Sequence, residues 1–409
     1  MIYLYEDNDY KNFLPLVYFR PGFELYCGCV TFKDKLKYFY PNEELGFLVR
    51  PLLVDLLREK YPNNLINQFS NQTKLSLFIS ARAVLKEKII LEDKEELFFN
   101  QNNELIGFCL RPERIKKFPI NEEFIAKLPI PKRQIKALKI NYLWDLIEHN
   151  STELKSDFLN LTSLRGTGGS NSVHHHNIQG KLSPRAIIIG ELKNLYVGID
   201  AEVEADVVLD LRAGPVYIDD GAQIRSFSKL VGPVYIGKDS VIDCGYLHSG
   251  VTVGPNSRIS GEVCASVFQG YINKQHYGYI GHAYIGEWVN LGAGTTNSDL
   301  KNNYSTVKVQ LSGKKIDTKL LKVGTFIGDH TKTAIGTLIG TGTIIGVFCN
   351  VTEHNLKTKY LKNFYWSKAA RWQLNKAITT AQVMMARRGV IMSQAYKELI
   401  TKIYRLKSN

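Results

Sequence analysis

The strongest constraint on this chain is a period of six. Ile285-Gly286 and Leu291-Gly292 lie six residues apart, each an aliphatic residue followed by glycine. The spacing continues through Ile327-Gly328, Thr333-Ala334, Ile339-Gly340, Ile345-Gly346 and Val351. Neither a helix nor a two-sided strand repeats every six residues. A parallel β-helix does, because each side of its prism turns one aliphatic side chain inward. The small residue that follows fits a corner where a Cβ would crowd the backbone.

The same rhythm can be traced upstream, in shifting phase. Val197, Val203 and Leu209 share one phase; Ile218, Ile224, Leu230, Ile236 and Ile242 share the next; Val253 and Ile259 share another. The β-helix is therefore expected over residues 184–352, a stretch that holds 23 of the 32 glycines. Phase breaks near Pro215, His248 and Phe268 predict loops leaving the prism, and residues 302–323 predict a longer insertion. Loops on a rigid coil are where function usually sits.

Residues 1–164 read differently, as mixed α/β. A strand is expected over residues 1–5, an apolar helix over 45–61 interrupted at Pro51, and a strand over 75–80. A β-hairpin is expected where 97–99 and 105–110 flank Asn100-Gln101-Asn102-Asn103. A helix over 141–158 closes the region. Residues 165–183 begin with RGTGGSNS and read as a linker. His174, His175 and His176 within it read as incidental histidines of a solvated loop, or as the remnant of a tag. Residues 353–409 read as a helical tail. There Tyr396, Leu399, Ile400, Ile403 and Tyr404 form a packing stripe, within or between subunits.

With 409 residues there is chain enough for two or three domains. The formal charge of +13 is a mild basic excess, not the clustered stripe of a nucleic-acid binder. It suits a phosphate-bearing small molecule or a merely solvated surface, and no nucleic-acid partner is expected. Cys27, Cys29, Cys109, Cys244, Cys264 and Cys349 are scattered, forming neither a disulfide framework nor a zinc pair. A reducing cytoplasm is the expected setting. MIYLYEDND has no apolar signal core, and no run approaches the ~20 apolar residues of a membrane span.

Residues 276–296 read HYGYIGHAYIGEWVNLGAGTT. His276, Tyr279, Ile280-Gly281, Ile285-Gly286, Asn290 and Leu291-Gly292-Ala293-Gly294-Thr295 resemble the acetyltransferase half of the bifunctional uridyltransferase/glucosamine-1-phosphate acetyltransferases. The resemblance is close over about thirty residues. It implies a left-handed β-helix, a homotrimer with sites between neighbouring prisms, and acetyl-coenzyme A as co-substrate. It also implies His276 as the catalytic base; Tyr279, Asn290, Asn297 and Asp299 as substrate contacts; and Ala293, Gly294 and Gly336 along the coenzyme groove. The chemistry suits these residues. An amine attacking a thioester must lose a proton, and imidazole exchanges protons near neutrality. A Gly-Ala-Gly turn can offer a backbone N–H to the oxyanion. Two departures concern the substrate: Cys264 stands where the family has a sugar-binding lysine, and Asn297, Ser298, Asp299, Leu300 and Lys301 replace its Asn-Tyr-Asp-Gly segment.

Over nearly its whole length the chain is more similar to a branch in which a sugar-nucleotidyltransferase-like domain is fused to a left-handed β-helix. LPLVYFRPGFEL (14–25), the segment 261–304 and GTFIGDHTKTAIGT (324–337) carry that resemblance. It implies acetyl transfer to an amino sugar held as a sugar phosphate or nucleotide sugar. It further implies an N-terminal domain that needs Mg2+ only if it still transfers nucleotidyl groups. Yet no glycine-rich phosphate loop follows the first strand, and Gly166, Gly168 and Gly169 lie in the linker. Arg20-Pro21-Gly22 can stand in for part of that loop, or be a simple turn. Two other functions compete: a non-catalytic sugar-nucleotide-binding scaffold, and a zinc hydratase of the γ-carbonic anhydrase type using His248, His276 and His282. No resident metal is expected on the main reading.

Overall fold

A computed structural model of the protein describes residues 1–71, 73–115, 117–164, 177–311, 313–367 and 370–406. The RGTGGSNS stretch and His174–His176 lie outside the described residues.

The hexad does what its period demands. Val197, Val203, Leu209, Ile218, Ile224, Leu230, Ile236, Ile242, Val253 and Ile259 are all buried in one core with Ile285, Leu291, Ile327, Ile339, Ile345 and Val351. Short parallel strands stack coil upon coil to form this parallel β-helix. Along one face Leu195–Val197, Val216–Ile218, Val234–Ile236, Val251–Val253, Val267–Phe268, Tyr284–Ile285, Thr325–Ile327, Thr343–Ile345 and Tyr360–Leu361 pair in succession. The stack begins at Lys181–Leu182 and ends at Tyr365–Trp366. Residues expected at the start of the helical tail are thus its last strands.

The expected loops are mostly corners. Pairing of Thr252 with Val267 shortens that coil, and a register shift between Ile242 and Gly245 absorbs the break near His248. Among the described residues only the 302–323 insertion builds structure of its own, where Lys308–Leu311 and Lys314–Asp317 pair antiparallel.

The N-terminal region is a seven-stranded mixed sheet. Its order is Leu65–Ile66, Leu45–Leu48, Ile2–Tyr5, Ser76–Ser80, Leu105–Leu110, Glu96–Phe99 and Lys132–Gln134. The first four strands are parallel, and the expected hairpin is present. The expected helix over 45–61 is corrected. Residues Leu45–Leu48 form a buried strand, and only Val54–Lys60 is α-helical, after a 3-10 turn opened by Pro51. A short apolar run has no periodicity to separate strand from helix.

A long helix, Leu143–Leu164, then lies against the prism. Its Asn150 accepts from Gly28 N and donates to Gly250 O and Thr252 Oγ1. The tail supplies two helices, Leu374–Ala386 and Gln394–Arg405. The stripe residues Leu399, Ile400 and Ile403 are buried within the chain itself, in one core shared with the N-terminal sheet and Phe326, Ile344 and Phe348 of the prism.

Candidate functional site

The corner after each strand of the polar face holds the predicted site. Asn273 pairs in register with Asn290, so His276 and Ala293 occupy equivalent positions in successive coils. Gly294 N donates to Tyr277 O at 2.9 Å, stacking one corner on the next. The approach is close: a Cβ on Gly278, whose φ is +125°, would fall 2.2 Å from Thr295 O. Gly336 stacks beneath, donating from its N to Ala293 O at 2.7 Å.

His276 is exposed, and its ring has no hydrogen-bond partner among the described residues. The two backbone donors of the Gly-Ala-Gly turn differ. The N–H of Gly294 is spent on Tyr277, whereas that of Ala293 has no partner among the described residues.

The other predicted contacts form a second group. Tyr279 Oη donates to Asp299 Oδ2 at 2.8 Å, and His282 Nδ1 meets the same oxygen at 2.7 Å. Burial raises the Asp299 carboxyl, but the bonds from His282 and Tyr279 outweigh it and hold the group below its ordinary value. An ionised carboxylate only accepts, so the His282 ring carries a proton on Nδ1. Burial first, then the bond to Asp299, raises the Tyr279 phenol.

Asn297, expected as a substrate contact, turns its side chain to the backbone of Gly281. It is buried, accepting from Gly281 N and donating to Gly281 O, both at 2.9 Å. Asn290 accepts from Asn273 Nδ2 at 2.8 Å, and its own amide nitrogen has no partner among the described residues.

The zinc reading lacks a donor set. His248 is bonded to Glu262, His282 to Asp299, and no group of three His, Cys, Asp or Glu converges among the described residues.

The sequence reading missed Lys274. It stands in the inward row, paired in register with Ile259, where a hydrophobic residue is the rule. Its Nζ donates to Ser260 O at 2.6 Å and to His276 O at 3.1 Å, so a buried ammonium holds the His276 corner. Burial pushes this lysine down to about 8. The break of the hexad at Asn273-Lys274, where Ile or Val belongs, was the available signal.

Arg20, the candidate for part of a phosphate loop, is engaged within the protein. It is buried, donating to Asp329 and Leu16 O and pairing with Glu287, and so ties the N-terminal region to the prism. At the carboxyl ends of the parallel strands, where α/β sheets bind ligands, Glu6 pairs with Arg50 and Asp7 with Arg82. These acids are engaged by guanidinium groups.

Comparison with known proteins agrees with both halves. Residues 2–166 match the family model for a sugar nucleotidyl transferase. A bifunctional sugar-1-phosphate nucleotidylyltransferase/acetyltransferase of Sulfurisphaera tokodaii is 38% identical over 157 residues, covering 33% of this chain and 39% of that protein. The bifunctional protein GlmU of Methanococcus vannielii is 22% identical over 393 residues, 86% of this chain and 87% of that one. That of Methanocaldococcus jannaschii is 29% identical over 249 residues, 58% and 53% of the two chains. The chain thus spans well under two thirds of two of these relatives. No helix among the described residues is long and apolar enough to cross a membrane.

Proposed function

The chain being a relative of the bifunctional sugar nucleotidyltransferase/acetyltransferase family, we propose that it transfers an acetyl group from acetyl-coenzyme A to an amino sugar. The acceptor is carried as a sugar phosphate or nucleotide sugar. The observation that supports this most is the stacking of the His276 corner on the Ala293-Gly294 corner through the Gly294–Tyr277 bond. It sets an exposed imidazole one coil from an open backbone N–H.

In this reading His276 takes the proton that the attacking amine loses. The N–H of Ala293 polarises the thioester carbonyl and stabilises its developing charge. Asn290 offers its free amide to the sugar. Asp299 and His282 hold Tyr279 at the rim, and Asn297 keeps the Gly281 backbone in place. Lys274 fixes the His276 corner from inside. Coenzyme A enters as substrate along the Ala293, Gly294 and Gly336 corners.

A second reading of the base is favoured by one contact. His282, oriented by Asp299, has the fixed tautomer of a nucleophile-activating base, which His276 lacks within one chain. The assay is release of the coenzyme A thiol with amino-sugar phosphates as acceptors, comparing His276→Ala with His282→Ala.

We further propose a homotrimer, so that a neighbouring prism completes each site. Light scattering at micromolar concentration should give three chains, and a monomer would contradict it. The N-terminal domain is proposed to transfer nucleotidyl groups poorly, its strand-end acids being paired with arginines. Rapid pyrophosphate release from a nucleoside triphosphate and a sugar phosphate would overturn that part.

A further inference from the structure

Four cations line one groove of about 520 Å³ between the polar face of the prism and the first tail helix. Arg258 and Lys332 come from the prism wall; Arg387 and Arg388 come from the end of the helix Leu374–Ala386. None of the four makes an ion pair with a carboxylate among the described residues. Arg258 donates to the backbone carbonyls of Asp239 and Ser257 at 2.9 and 3.2 Å, and Lys332 to that of His330 at 3.1 Å.

A helix C-terminus favours cations, which accounts for Arg387 and Arg388 alone. It does not account for two more cations on the opposite wall. Like charges gathered without a counter-ion repel, and the repulsion is relieved when an anion enters. Burial lowers Arg258, and Arg388 and Arg225 lower it further. Burial alone brings Lys332 down to about 8. Asp239 offsets part of the Arg258 shift, whereas no charged group offsets the burial of Lys332. Asn290 and Gln275 line the same groove, and Gln275 is next in sequence to His276.

From this geometry we infer that the groove binds the diphosphate of a nucleotide-type ligand, with Arg258, Lys332, Arg387 and Arg388 as its anion contacts. The inference deepens the acetyl-transfer reading, on which it rests for the ligand class. Two sources share this chemistry, the diphosphate of coenzyme A and that of a nucleotide sugar. Arginine supplies paired N–H donors that match phosphate oxygens, and contacts from both walls suit two linked phosphates better than one.

The test is calorimetric titration of the full chain with inorganic pyrophosphate, coenzyme A and uridine diphosphate at about 50 mM salt. Wild type should bind pyrophosphate. R387Q/R388Q should weaken binding at least tenfold without lowering the unliganded melting temperature, because neither side chain makes an ion pair or hydrogen bond among the described residues and two mutually repelling charges are removed. R258Q should do the same from the other wall. K319Q, which removes one positive charge from the exposed insertion as R258Q does from the groove, should bind as wild type does. If the arginine variants weaken coenzyme A and spare uridine diphosphate, the coenzyme is the source; the reverse identifies the nucleotide sugar. Absence of pyrophosphate binding, or equal loss in K319Q, overturns the site. Acetyl transfer surviving that result leaves the proposed reaction intact. Pyrophosphate binding without acetyl transfer removes the reaction and keeps the site.

Discussion

Two faces of one prism obey the same rule and come to opposite uses. On the first, the outward row runs Tyr196, Tyr217, Tyr235, Thr252, Val267, Tyr284, Phe326, Ile344 and Tyr360. Almost all of it is buried, under the N-terminal sheet, the helix Leu143–Leu164 and the tail. On the second, the outward row runs Glu202, Gln223, Val241, Arg258, Asn273, Asn290, Lys332 and Asn350, polar at every step but Val241. The inward residues of both faces are mostly apolar, with Lys274 and Thr333 breaking the row on the second. What differs is the alternate residue, which decides whether a face becomes a domain interface or stays a polar surface. The N-terminal region is therefore an integral part of the core.

The comparison breaks most sharply at Arg20. Replacing it by Ala leaves Asp329 buried without its cation, and should cost ~3–5 kcal/mol in denaturant unfolding. A loss within ~0.5 kcal/mol would mean that the sealed face does not depend on this tie.

Lys274 tests the polar face from inside. Its folded value, about 8, lies below the ordinary 10.5 of lysine. The folded state therefore releases this proton before the unfolded state does. Stability should rise as pH climbs from about 8 to about 10.5, by on the order of 3 kcal/mol in all. Lys274→Met should remove this rise and be the more stable protein at pH 7. Identical pH profiles for the two proteins would contradict the assignment.

A smaller effect is expected at Asn297. Its Ala variant leaves a buried N–H and C=O of Gly281 unpaired, for ~1–3 kcal/mol. Acetyl transfer per folded molecule should persist, since the side-chain amide is engaged by the Gly281 backbone. Loss of transfer with stability unchanged would restore Asn297 as a ligand contact.

Much of the prism was legible because a period of six leaves few alternatives, and every aliphatic residue in the predicted phases lies in the core. The breaks were harder to read. A corner shortened by a residue or two and a loop of many both interrupt the phase, and only pairing such as Thr252 with Val267 tells them apart. The strand Leu45–Leu48 was unreadable for a different reason, since a fully buried strand shows no alternation. At the site, sequence could point to His276, Ala293 and Asp299 but not to their partners. Sharing of Asp299 by Tyr279 and His282 depends on corners closing, and the bond from Lys274 to the His276 carbonyl depends on a lysine folded into the core.

The central claim is acyl transfer at the His276–Ala293 corner. Its most direct test is the rate of coenzyme A release from acetyl-coenzyme A with an amino-sugar phosphate, measured for wild type, His276→Ala and His282→Ala. The account predicts transfer by wild type and a ~10²–10⁴-fold loss in His276→Ala with coenzyme binding retained. Full activity in His276→Ala with that loss in His282→Ala would move the base to the Asp299-held imidazole. No transfer by wild type to any amino-sugar phosphate or nucleotide amino sugar would contradict the account.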